Sequence, residues 1–168
     1  MEIGAKEIPL DARRVVTFRP ATPDDESFLL GVYGSTRQEE LALTNWDDAQ
    51  RSAFVKMQFE AQQSHYRDYY PEGEHLIILV SGTPVGRLYV ASLKEEISIL
   101  DITLLSAHRN AGIGTPIIKE LMAEAALIGK RLRVYVESFN PSLRLFERLG
   151  FVKSGESGYT YLMEWRAA

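Results

Sequence analysis

One junction constrains this chain more than any other stretch. Ile97-Ser98-Ile99-Leu100-Asp101-Ile102-Thr103-Leu104 is dense in β-branched residues and predicts a strand. Further on, Ile117, Ile118, Leu121, Met122, Ala125 and Ala126 recur at helical spacing and mark the buried face of a helix. Arg109-Asn110-Ala111-Gly112-Ile113-Gly114 joins the two. A helix N-terminus offers unpaired N–H groups and partial positive charge. Glycine lets a ligand approach the backbone without a Cβ in the way. Together they make an anion site suited to a pyrophosphate, to which Arg109 can add a charge-assisted contact. The plainer alternative is a tight turn with no ligand. The segment is not a P-loop, because no Gly-Lys-Ser/Thr follows. Nor is it a Rossmann fingerprint, because the third glycine is missing and the strand–helix alternation is wrong.

Around this junction the chain predicts a mixed order of elements. Residues 1–13 are polar, broken by Pro9, and read as an N-terminal arm before a single domain over 14–168. Val15 to Arg19 is a short strand. Thr22-Pro23-Asp24-Asp25-Glu26 is a helix start, with the helix running to about Ser35. Thr44 or Asn45 can cap a second helix that Pro71 and Gly73 end. His75–Val80 and Val85–Ala91 form a hairpin about Ser81-Gly82-Thr83-Pro84. After the glycine segment and its helix come a strand from Arg131 to Glu137 and a short helix from Pro141 to Leu149, capped by Asn140. Phe151-Val152 and Tyr159–Trp165 are the last strands. The expected fold is α/β (α+β): a central mixed, mostly antiparallel, twisted sheet of six to seven strands with helices on both faces.

Charge and cysteine content exclude several functions. The net charge is −4, and no stripe of Lys and Arg is present to follow a nucleic acid, so none is expected as a partner. With no cysteine there can be no disulfide, thiolate metal site or cysteinyl intermediate, so an acyl group that moves here moves directly. His65, His75 and His108 lack metal-ligand spacing, and no metal is expected. His108 adjoins Arg109, as a solvated loop residue or as a neighbour of phosphates. No apolar window reaches membrane-span length and no secretory signal is visible, so the expected location is cytoplasmic, without a membrane partner.

A second segment makes the first specific. Asn140-Pro141-Ser142-Leu143-Arg144-Leu145-Phe146-Glu147-Arg148-Leu149-Gly150-Phe151 follows the Arg-X-X-Gly-X-Gly of 109–114 in order. The pair resembles the GCN5-related N-acetyltransferases (GNAT), from about Val15 to Trp165. The resemblance implies acetyl-CoA as co-substrate. It implies a pantetheine arm paired with the backbone of Ile102 and Leu104, and a pyrophosphate on the amides from Arg109, Asn110, Ala111, Gly112 and Ile113 through Gly114, with Thr115 adjacent. It places Asn140 and Phe146 by the acetyl end and the thiol. The implied acceptor is a primary amine of a small molecule or peptide, walled by the region Tyr33 to Tyr70 with Trp46, Phe54, Phe59, Tyr66, Tyr69 and Tyr70. Plain core packing explains the same aromatics. A homodimer is allowed.

An alkyl amine, with a pKa near ~10.4, must lose a proton before it attacks. A carboxylate base contributes about 10²–10⁴-fold. Asp101 is the first candidate, because a lone acid inside an apolar strand needs a reason to be there. The alternative is a structural carboxylate bound to backbone amides or an arginine. Glu96, at the strand's start, is the second candidate, and a solvated strand end is its plainer reading. Phe146 stands where many members of the family carry a proton-donating Tyr. Coenzyme A then leaves as a thiolate, or Ser142, Tyr135 or Tyr89 supplies the proton, or the chain binds acyl-CoA as a sensor or interaction module without catalysis.

Overall fold

Leu76, Ile77 and Ile78 are consecutive and all buried, yet they face two different cores. Side chains alternate across a strand, so such a run needs cover on both faces of the sheet. The computed structural model, which describes residues 2–168, supplies it. Thirteen elements follow in order: β1 (Ile8–Pro9), β2 (Val15–Pro20), α1 (Glu26–Ser35), α2 (Gln38–Ala42), α3 (Asp48–Tyr69), β3 (Glu74–Val80), β4 (Thr83–Ser92), β5 (Glu96–Leu104), α4 (Gly114–Ile128), β6 (Arg131–Glu137), α5 (Ser142–Arg148), β7 (Val152–Ser157) and β8 (Thr160–Trp165).

The strands form one eight-stranded sheet in the order β1-β2-β3-β4-β5-β6-β8-β7. All neighbours are antiparallel except β5 and β6. The larger core lies under α4 and α5, where Ile117, Ile118, Leu121 and Phe146 meet Leu88, Val90, Ile97, Ile99, Leu132 and Val134. On the other face Leu29 and Tyr33 of α1 and Phe59 of α3 close over Ile77. The expected mixed, mostly antiparallel sheet with helices on both faces is the fold observed. Its eighth strand is β1, too short to show any period.

Part of the expected N-terminal arm packs on the sheet. Ile3 and Ile8 are buried in the larger core, and β1 pairs with β2. The start of α3 differs from expectation. Its cap is Asp47, not Thr44 or Asn45. The Asp47 carboxylate accepts from the Gln50 amide at 2.8 Å, and the Gln50 side chain accepts from the Asp47 amide at 2.9 Å. This reciprocal box satisfies two N–H groups at once, while the Thr44 hydroxyl donates to the Leu41 carbonyl instead.

Candidate active site

The site begins where two parallel strands part. β5 and β6 pair from Glu96 with Arg131 to Ile99 with Val134, and no further. Beyond that point β5 continues to Leu104 and β6 to Glu137 with a gap between them. Leu105 donates its amide to the Val85 carbonyl of β4 at 2.8 Å. Alternation then turns the amides and carbonyls of Leu104 and Ile102 away from β4, toward the gap. An extended ligand laid there meets a strand edge that β6 leaves unpaired.

A β-bulge sits at the fork. Tyr89 pairs with Asp101 and Val90 with Ile99, which leaves Leu100 without a partner on β4. The extra residue shifts the alternation by one. Before the bulge Ile97 and Ile99 face the α4 core; after it Ile102 does. Asp101 and Thr103 therefore face α3, whereas an unbulged strand would drive Asp101 into apolar packing. The freed Leu100 carbonyl accepts from the Tyr66 hydroxyl at 2.9 Å. Burial, and then the Asp101 charge, push the Tyr66 phenol above its ordinary value, so it stays a donor.

Asp101 is held, not free. Its Oδ2 accepts from Arg87 Nε at 2.7 Å, and its Oδ1 accepts from the Thr103 hydroxyl at 2.6 Å. Arg87 is wholly buried and also donates to Gln63 at 3.0 Å and to Gln62, both on α3. Glu96 lies at the closed end of the fork, where it accepts from Arg133 at 3.0 Å and Arg131 at 3.4 Å. The side of β6 that does not face the α4 core carries Arg131, Arg133, Tyr135 and Glu137. The Tyr70 phenol is raised by burial first, then by Tyr135 and Glu96. Arg37, just beyond α1, reaches Glu137 at 3.8 Å. Tyr66, Tyr70, Tyr135 and Glu137 therefore gather on the α1–α3 side of the fork.

At the open end lies the glycine segment. Asn110 and Gly112 both adopt left-handed backbone, with φ of 57° and 75°. Among the described residues, the amides of Asn110 through Gly114 donate to no protein group. They form a cluster of free donors at the start of α4, with Thr115 in its first turn. The Arg109 side chain folds back instead, donating to the Leu104 carbonyl at 3.0 Å and lying 3.3 Å from the Ser35 hydroxyl. The second segment meets the first: Leu145 of α5 lies 4.0 Å from the position a Cβ would take on Gly114. Asn140 accepts from the Ser142 amide at 2.9 Å in the turn that leads into α5, whose N-cap position is Pro141 rather than the expected Asn140. Phe146 is buried edge-to-face on Phe151, with centroids 5.1 Å apart.

Of the expected aromatic wall, Tyr33 and Phe59 are core, Trp46 and Phe54 pair with each other, and Tyr69 is exposed. Tyr66 and Tyr70 stand by the fork. Arg87 was not anticipated, although a lone charge within Val85-Gly86-Arg87-Leu88-Tyr89-Val90 is as anomalous as Asp101. A cavity of about 700 Å³, lined among others by Glu26, Phe59, Gln63, Arg67, His75 and Tyr89, opens under α1 and α3; Phe59 of the expected acceptor wall and Tyr89 of the candidate proton donors line it, and none of the expected cofactor residues or carboxylates does. Among the described residues no group of three or more His, Asp or Glu is placed to hold a metal, and no helix is long and apolar enough to cross a membrane.

The forked sheet and the free amides at the fork's open end form one site, within the stretch that identifies the chain's class. Residues 41–151 match the acetyltransferase (GNAT) family, and the chain belongs to it. No curated relative matches the chain. Among solved structures, the PaiA N-acetyltransferase of Thermoplasma acidophilum, in complex with coenzyme A, is similar at TM-score 0.66 and 14% identity, covering 90% of this chain and 99% of that one. An acetyltransferase from Thermus thermophilus is similar at TM-score 0.62 and 20% identity, covering 89% and 96%. One from Streptococcus agalactiae is similar at TM-score 0.66 and 12% identity, covering 94% and 100%. At these identities the likeness is one of fold.

Proposed function

We propose that this chain is an acetyl-CoA-dependent N-acetyltransferase that moves an acetyl group directly to a primary amine of a small molecule or peptide, in the cytoplasm. The observation that carries the reading is the fork: a strand edge at Ile102 and Leu104 that β6 leaves unpaired, with Arg109 on the Leu104 carbonyl, leads to the free amides of 110–114. The edge suits the amides of a pantetheine arm, and the loop suits a pyrophosphate. Thr115 and Asn140 flank these two ends.

The amine enters from the α1–α3 side, beside Tyr66, Tyr70 and Tyr135. Its nitrogen attacks the thioester carbon, the C–S bond breaks, and the sulfur leaves with the electron pair. The amine proton goes to a carboxylate directly or through water. Asp101 is the first choice. It has about four lone-pair sites, and its Oδ1 retains one beyond the Thr103 contact. Glu96, at the closed end, is the second. Phe146 has no proton to give, so the sulfur leaves as a thiolate, tolerable at a thiol pKa near ~8.5, or takes a proton from Tyr135 or Ser142.

Calorimetric titration with acetyl-CoA tests the cofactor, and absence of binding at millimolar concentration overturns it. For the base, Asp101→Asn is compared with wild type across pH, per folded molecule; an unchanged profile removes Asp101 from the role. A second reading, acyl-CoA binding without transfer, is favoured by one observation: both carboxylates already sit in ion pairs. Thiol release with any member of a diverse amine panel eliminates it.

A further inference from the structure

Arg14, at the end of the N-terminal segment, touches the glycine loop far along the chain. Its Nη1 donates to the Ala111 carbonyl at 3.1 Å. Its Nε donates to Asp11 at 2.8 Å, and the Asp11 carboxylate also accepts the amides of Arg13 and Arg14 at 2.9 and 2.8 Å. The arginine is thus aimed by a turn that is itself tied down. Ile8 and Val16, on either side of that turn, are buried in the main core.

The contact falls on a peptide whose N–H is one of the loop's free donors. A trans peptide is planar, so the Ala111 carbonyl and the Gly112 N–H point in opposite directions. Holding the oxygen on the Arg14 side turns the Gly112 N–H to the other side of the loop. This peptide turns about ψ of Ala111 and φ of Gly112, and Gly112, at a φ of 75°, has the freedom of glycine to let it swing. Among the described residues, no other hydrogen bond reaches the Ala111 carbonyl.

We propose that Arg14 is a positioning residue for the phosphate-binding loop: it fixes the 111–112 peptide so that the Gly112 amide faces the pyrophosphate of the CoA ligand. The N-terminal segment then sets cofactor affinity without touching the cofactor. This rests on the CoA reading of the 109–114 loop.

The test measures Kd for acetyl-CoA by calorimetry, and apparent affinity for S-acetylpantetheine, which lacks the phosphates. Proteins are wild type, Arg14→Ala, Arg14→Lys and Asp11→Asn, each with its apo melting curve. Arg14→Ala is expected to weaken acetyl-CoA about three- to tenfold, the value of one hydrogen bond. S-acetylpantetheine is expected to be unaffected. Lysine, still able to donate to the carbonyl, recovers part of the loss. Asp11→Asn leaves Arg14 present but loosely aimed, and gives a smaller loss of the same kind. Equal loss for both ligands marks a general structural effect and overturns the proposal, as does an Arg14→Ala variant that binds acetyl-CoA as tightly as a wild type that binds it. Wild-type protein that binds no acetyl-CoA overturns the cofactor reading, and this inference with it.

Discussion

Arg87 and Asp101 form an ion pair across β4 and β5 in which the guanidinium has no solvent exposure. The arginine also holds Gln62 and Gln63, so one buried cation ties α3 to the strand that forks. Breaking a buried pair by removing one partner is costly, because the other charge stays behind. Asp101→Asn is expected to lose about 3–5 kcal/mol in urea unfolding. Adding Arg87→Met removes the stranded charge and is expected to return part of that loss. A single variant within about 1 kcal/mol of wild type contradicts the buried strut. Rates for this variant therefore need correction for the folded fraction.

Gly86 lets β4 approach the end of β5. A Cβ there would lie 2.1 Å from the Thr103 carbonyl oxygen and 2.9 Å from the Leu104 Cα. Both obstacles are backbone, and neither can rotate aside. Gly86→Ala must push residues 103–104 toward the gap, where the pantetheine edge is proposed. The expected outcome is a loss of about 1–3 kcal/mol in stability and weaker acetyl-CoA binding. Melting curves and calorimetry read the two effects. An alanine variant with wild-type values for both shows that β4 can yield instead.

Much of this was legible because it is local. The glycine segment, its helix and the Arg131–Glu137 strand each rest on neighbouring residues. The anomaly of Asp101 was legible too, but not its direction. That depends on a bulge at Leu100, which exists only through the pairing of β5 with β4. Arg87 carried the same signal of a lone charge in an apolar strand. Setting the two anomalies on adjacent strands of one hairpin would have paired them. Tyr66 is expected from sequence only as part of an aromatic wall; the partner of its hydroxyl, the Leu100 carbonyl, depends on the same bulge. The Arg14–Ala111 contact joins distant segments, and no spacing rule reaches it.

Asn110 holds a positive φ of 57° without being glycine. Asparagine tolerates this region better than most residues, and a β-branched side chain does so poorly. If its role is to shape the loop, Asn110→Gly is expected to keep acetyl-CoA affinity within about twofold, since glycine adopts the same backbone freely. Asn110→Val is expected to lose roughly 1–2 kcal/mol of stability and to weaken binding. Equal weakening in both variants would assign the Asn110 side chain a direct ligand contact instead.

His75 stacks on Tyr89 at 4.5 Å, nearly parallel, and its Nδ1 lies 3.4 Å from Gln63 Nε2. Arg87 occupies the Gln63 oxygen, so the Gln63 amide nitrogen faces the ring and Nδ1 accepts. The ring proton then sits on Nε2, which has no partner. Burial first, and then the Arg87 charge, lower the His75 pKa from 6.5 to about 4; Asp101 and Asp25 oppose this weakly. The unfolded chain gains a proton as pH falls through about 6.5, while the folded chain waits until about 4. Stability from this residue is therefore complete above about 6.5 and declines as pH drops toward 4, by up to about 3 kcal/mol. His75→Phe keeps a flat ring against Tyr89 and cannot titrate. Between pH 7 and 4.5 the wild type is expected to lose about 2–3 kcal/mol more than the variant in urea unfolding. Parallel pH profiles for the two proteins would show that His75 takes up its proton without unfolding.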